Sequence, residues 1–183
     1  LNTALEHKRI DIALDMLGSW VGMYMNGLPL TIIGETDWSY GGDKIIAKKD
    51  VDMSALKGST VGVYLDMPSV TFFLNKYLSS GHISLSDINI VELEPETMAD
   101  NFISGRFKVI VNYDPQAIRA EREGQGNVVA TSASWDGCIP EGFVAHSEVL
   151  KSIPEQDLSN IFKGWISAVK WVRDSNNWTE YKK

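Results

Sequence analysis

Cysteine and histidine are scarce in this sequence: one cysteine, Cys138, and three histidines, His7, His82 and His146, among 183 residues. A single thiol excludes an intrachain disulfide and a multi-cysteine zinc site, and suits an oxidising or a reducing compartment equally. The histidines stand far apart without HxxxH or HExxH spacing, so no metal centre is expected. There is no Ser-His-Asp order, no GxSxG elbow and no Walker motif, so neither catalysis nor a cofactor is expected. Basic residues are outnumbered, 17 Lys and Arg against 24 Asp and Glu, for a net charge of −7. A nucleic-acid surface would need clustered Lys and Arg, so no such partner is expected. The longest apolar runs are strand-sized, too short to span a bilayer, which leaves a peripheral membrane association at most. No signal peptide opens the chain, and Leu1-Asn2-Thr3 reads as a processed, trimmed or cloned start.

What is present is a soluble globular composition, 44% hydrophobic, in a length that suits one ordinary domain or two small lobes. The stretch from Ser59 to Phe73, STVGVYLDMPSVTFF, sets the pattern. Val61, Val63 and Leu65 read as a buried strand, a polar turn follows at Asp66-Met67-Pro68-Ser69, and Val70, Phe73, Leu74 and Leu78 resume at helical spacing. Pro68 fits the first turn of a helix, whose early amides carry partial positive charge. The same alternation runs along the chain. Short strands are predicted at 9–14, 30–34, 43–48, 88–93, 107–112, 127–131 and 142–146, with helices at 16–26, 95–103 and 116–123 and a long amphipathic one at 154–173. Strands alternating with helices predict an α/β fold with mostly parallel sheets.

The segments ALEHKRIDIAL, GLPLTIIG, DKIIAKKDVDMSALKGSTVGVY, MADNFISGRFKVIVNYDPQ and GFVAHSEVL, in that order, resemble the periplasmic solute-binding proteins of ABC importers. The resemblance runs from Ala4 to about Trp178 and is nearest to the binders of nitrate, sulfonates, taurine and thiamine-pyrimidine precursors. It implies a two-lobed, type II binding-protein fold, hinged by two crossing strands and closing on a small solute. The lobes are expected at residues 1–48 with 141–183, and at 49–140 with the hinge crossings. The opening strand–helix–strand unit and the final helices of the family have no counterpart here, so the first lobe is expected to be partial, with a homodimer as one way to complete it. An ABC permease or a sensor is the implied partner, and the periplasm or another extracytoplasmic space the implied location.

Candidate ligand contacts lie at strand ends, where α/β sheets bind solutes. Asp15 closes the strand IDIAL, with capping of the following helix by Asp15 or Ser19 as the plainer role. Trp38 and Tyr40, in a glycine-flanked segment, offer a flat apolar wall or a cation–π face, or else a plug at the hinge. Asp66 and Ser69 share the opening turn. The resemblance implies that Ser69 donates to an anion or amide, whereas a carboxylate at Asp66 favours a cation or a cap. Tyr113 and Asp114 end FKVIVN, Asp114 being also an ordinary N-cap before Pro115. Asp15, Asp66 and Asp114 with Trp38, Tyr40 and Tyr113 would form an acidic, aromatic cleft. No Lys or Arg stands at the matching turns, where an oxyanion site would use one. A cationic or neutral nitrogenous solute is therefore expected over sulfonate or nitrate. Two other readings share the architecture: the effector domain of a LysR-type regulator, and the extracytoplasmic domain of a membrane sensor.

Overall fold

The computed structural model describes residues 1–64, 68–174 and 176–182. Helix α1 (Asn2–Glu6) precedes β1 (Ile12–Met16), α2 (Leu17–Met25), β2 (Leu30–Trp38), β3 (Asp43–Lys48) and β4 (Thr60–Tyr64). Then come α3 (Pro68–Ser80), β5 (Asn89–Leu93), α4 (Pro95–Ile103), β6 (Val109–Tyr113), α5 (Gln116–Glu123), β7 (Gly126–Thr131) and β8 (Pro140–His146). Helices α6 (Ser147–Leu150), α7 (Glu155–Arg173) and α8 (Trp178–Tyr181) close the described chain.

The strands form two sheets, one of three strands in the order β1-β8-β2 and one of five in the order β5-β4-β6-β3-β7. The larger sheet is buried on both faces, which is why its central strands are apolar without alternation: Val109, Ile110, Val111 and Asn112 are all fully covered. Helix α3 lays Val70, Phe73, Leu74 and Leu78 against it, each with no exposed surface, at the i, i+3, i+4, i+8 spacing of one helical face. On the other side α4 approaches β4 closely enough that a Cβ at Gly62 would stand 2.2 Å from Met98 Sδ, so a larger residue there would have to displace the Met98 side chain. The smaller sheet has a smaller core, built on Leu5, Ala13, Trp20, Leu30 and Val144.

The expectation of mostly parallel sheets is corrected. Only β4–β5 and β4–β6 are parallel, while β3–β6, β3–β7, β1–β8 and β2–β8 are antiparallel. Alternation of strands and helices along a chain specifies neither direction nor neighbour. The helical crossovers through α3 and α4 do place β5 and β6 parallel to β4, one on each side. The chain enters the larger sheet through β3 and returns to the smaller one through β8, and both of these run against their neighbours. Asp43–Lys48, expected with the first lobe, thus pairs inside the larger sheet. Because β5 and β6 flank β4 on opposite sides, the strand order reverses at β4, and the crevice beyond the carboxyl ends of β4 and β6 is where such a sheet takes ligands.

Candidate functional site

That crevice is occupied by a cleft of about 780 Å³ between the two sheets, within the size range of small-molecule sites. From the three-stranded side it is lined by Asp15 of β1, Asp37 and Trp38 of β2 and Glu141 of β8. Tyr40 follows in the loop, and Asp43 opens β3. From the five-stranded side come Tyr64 at the end of β4, Glu94 after β5, and Tyr113 and Asp114 at and after the end of β6. Six carboxylates and four aromatic rings therefore face one space, and among the described residues no Lys, Arg or His side chain lines it.

Each acid is held differently. Asp43 is 4% exposed and accepts a hydrogen bond from the Tyr64 hydroxyl. Burial raises its pKa above the ordinary value, opposed by hydrogen bonds from Ser39 and Tyr64. Burial and the neighbouring Asp43 push the Tyr64 phenol far upward, so it stays a donor. Tyr64 in turn meets Tyr113 edge-on, ring centroids 5.0 Å apart. Asp114 forms an ion pair with Lys44 through Oδ2, while its Oδ1 is buried with no hydrogen-bond partner among the described residues. Glu141 is half-buried; burial raises its pKa, and the charges of Asp37, Asp43 and Asp15 raise it further. Asp15 Oδ1 accepts from the Met16 amide at 2.7 Å.

The structure brings Asp15, Trp38, Tyr40, Tyr113 and Asp114 together in this cleft, as the sequence suggests. Trp38, Tyr40 and Tyr113 are 45%, 71% and 40% exposed, so none is a hydrophobic plug. Neither Asp15 nor Ser19 caps α2, which has no side-chain cap, and Asp114 does not cap α5 because Lys44 takes its carboxylate. Ser69 is not a lining residue. It is 4% exposed, at the start of α3, and its Oγ accepts from the Gly18 amide of α2 at 3.2 Å. Asp66 lies outside the described residues. Asp37, Asp43, Tyr64, Glu94 and Glu141 were not anticipated. A usable signal existed for two of them, since Tyr64 and Asp43 stand at strand termini just as Asp15 and Tyr113 do. Cys138 is 4% exposed, and burial pushes its thiol pKa up, which suits packing rather than nucleophilic chemistry.

The model of the NMT1-like family matches residues 11–183. The chain belongs to the NMT1-like family. Over 94% of its length it is 27% identical to YtlA of Bacillus subtilis (strain 168), a protein provisionally named as a binding protein, of which it covers 53%. Its fold matches the alkanesulfonate-binding protein SsuA from Xanthomonas axonopodis pv. citri, bound to MOPS, at a TM-score of 0.79 and 15% identity, covering 98% of this chain and 62% of that one. It also matches the periplasmic nitrate-binding protein NrtA from Synechocystis PCC 6803 at a TM-score of 0.70 and 14% identity, covering 92% of this chain and 49% of that one. The fold is thus that of the periplasmic binding proteins of ABC importers. The chain spans about half the length of the curated relative and half to three fifths of these solved structures. No helix among the described residues is long and apolar enough to cross a membrane.

Proposed function

We propose that this chain contributes the solute-binding cleft of an ABC importer's substrate-binding component, and that the solute is cationic or a neutral nitrogenous compound. The observation that carries this reading is the lining of the cleft: six carboxylates, four aromatic rings and, among the described residues, no basic side chain. An oxyanion there would meet the carboxylates of Asp15, Asp37 and Glu141, in no ion pair among the described residues, whereas a cation or an amine donor finds acceptors, with Trp38 and Tyr40 as a cation–π or stacking wall. Lys44 does not alter the balance, because Asp114 already neutralises it. The two helix N-termini that face each other, at α2 and α3, do not offer an anion seat either. The Gly18 amide is spent on Ser69, and the helices touch. Binding of alkanesulfonate or nitrate by the fold's relatives is therefore not carried over.

The two sheets would act as the two lobes, with 1–38 and 140–183 in the first, 43–131 in the second, and crossings at 39–42 and 132–139. A solute that binds the closed arrangement better would shift the population toward it, for an ABC permease to read in an extracytoplasmic space. Homodimerisation would run through the smaller sheet's side, where Val21, Tyr24, Met25 and Ile32 are 46%, 62%, 80% and 44% exposed. Light scattering giving a monomer at high concentration would remove the dimer. The test of the solute class is isothermal titration of the purified chain with choline, 1,4-diaminobutane, 4-aminopyrimidine and ethanesulfonate. Saturable binding of one of the nitrogenous compounds is expected. Binding of ethanesulfonate alone would overturn the reading.

A further inference from the structure

Three of the cleft's acids stand at the same end of three neighbouring strands, Asp37 in a row with Glu141 and Asp15 one position out of register. Glu141 on β8, the middle strand, is in register with Met16 on β1 and Asp37 on β2, and Asp15 stands beside Met16 opposite Gly142. The charges that bear on Glu141 from the elements around it are Asp15 of β1, Asp37 of β2 and Asp43 of β3, with the Tyr64 hydroxyl at the end of β4 as a further polar neighbour. All three charges are negative. None of Asp15, Asp37 and Glu141 is in an ion pair among the described residues. The opposite wall differs, since Asp114 is paired with Lys44 and Asp43 is held by Tyr64. Uncompensated negative charge is thus concentrated on the three-stranded side, next to Trp38.

We infer that Asp15, Asp37 and Glu141 form the seat for the solute's positive charge, and that this seat exchanges a proton for the solute. The inference rests on the cationic reading above. Glu141 is half-buried beside the carboxylates of Asp15, Asp37 and Asp43, and burial together with their charge favours its protonated form. An ammonium group brought into the row supplies the positive charge that the proton supplied. The proton leaves the Glu141 carboxyl for the solvent, and the cation pairs with the carboxylates left behind, an ammonium that carries N–H groups also donating hydrogen bonds to them. Affinity then falls as the pH falls, because solute and proton compete for one place. Selectivity follows as well: a neutral analogue of the same shape displaces no proton and gains nothing from the row.

The experiment is isothermal titration of the chain with choline and 1,4-diaminobutane at a series of pH values from neutral down to 4.5, the ordinary value above which burial raises the Glu141 carboxyl. Two buffers of unlike ionisation enthalpy are used, neither an amine nor a sulfonate. The expected result is a binding enthalpy that depends on the buffer, reporting release of a fraction of a proton, and an affinity that rises with pH. Glu141→Gln is expected to abolish the buffer dependence and to weaken binding about tenfold, the loss of one charged partner. Asp37→Asn, at an exposed strand end, should reduce the proton release without removing it, and it keeps the test available if the first variant folds poorly. Amine binding with an enthalpy independent of buffer and an affinity independent of pH would overturn the exchange while leaving the cationic cleft intact. Proton release that persists in folded Glu141→Gln would overturn the assignment to Glu141. Absence of binding by either amine would overturn the seat, and with ethanesulfonate binding it would overturn the cleft reading beneath it.

Discussion

The two sheets face each other at two places, and these are built in opposite ways. At the α2–α3 contact there is no spare room: a Cβ at Gly18 would stand 2.2 Å from Ser69 Oγ and 2.9 Å from the Ser69 amide nitrogen. The Gly18 amide donates to Ser69 Oγ, and Gly22 stands over Pro68, where a Cβ would come within 3.4 Å. At the cleft the surfaces stay apart by some 780 Å³ and are lined with acids. The positive ends of two helices are thus used for packing, and the negative groups are left facing the ligand space. On the proposed reading, the α2–α3 contact takes no part in holding the solute and the acidic lining sets the sign of the charge it accepts.

The contact and the cleft can be separated by substitution. Gly18→Ala puts a methyl group where the α2–α3 contact has no space. Overpacking of this kind costs about 1–3 kcal/mol, and if the sheets part to relieve it, affinity for a cationic solute falls about ten- to a hundredfold. Titration of the variant, together with its radius of gyration by small-angle scattering, checks this. Unchanged affinity and unchanged dimensions would mean that the contact does not control closure. Ser69→Ala removes one hydrogen bond and leaves the Gly18 amide unpaired, for an expected loss of about 1 kcal/mol. A thermal melt that matches wild type would show that Ser69 has no part in the contact.

Glu141→Gln has the smallest expected effect on the fold, and it is an increase. A carboxyl with a raised pKa binds its proton more tightly in the folded chain than in the unfolded one, so it lowers stability as pH rises from the ordinary 4.5 through the raised value. Removing that charge should raise the melting temperature of the solute-free protein by about 2 °C at neutral pH. The gain should shrink on acidification and vanish below pH 4.5, where Glu141 is protonated in both states. A gain that persists in acid would trace to packing instead, and the crowding of like charges would lose its support.

How much of this is legible in the sequence follows from the range of the interaction concerned. Elements set by neighbouring residues were readable: α5 spans Gln116–Glu123 as its glycine stop suggests, and the apolar run of β6 marks a strand covered on both faces. Asp52 caps the short turn at Met53–Leu56 by accepting from the Ala55 amide, a contact within three residues. The strand predicted to stop at Gly34 continues to Trp38, because irregularities in its register with β8 at Ile32/Gly34 and Glu35/Asp37 let the pairing run on. That continuation places Asp37 opposite Glu141, a pairing across 104 positions that no local pattern encodes. Asp114 could have capped α5 or faced the cleft; it lines the cleft, with Oδ2 paired to Lys44, 70 residues away. Ser69 was expected in the cleft and instead meets Gly18, 51 residues away. Local spacing shows that strand ends carry acids and aromatics. Which of them share a cavity depends on sheet order and register.

The most direct test is a crystal structure of the chain grown with choline or 1,4-diaminobutane. The account predicts density for the amine beside Glu141, Asp37 and Trp38, with the Gly18–Ser69 contact intact. An anion bound between the N-termini of α2 and α3, with that contact broken and the acidic row facing only solvent, would contradict it.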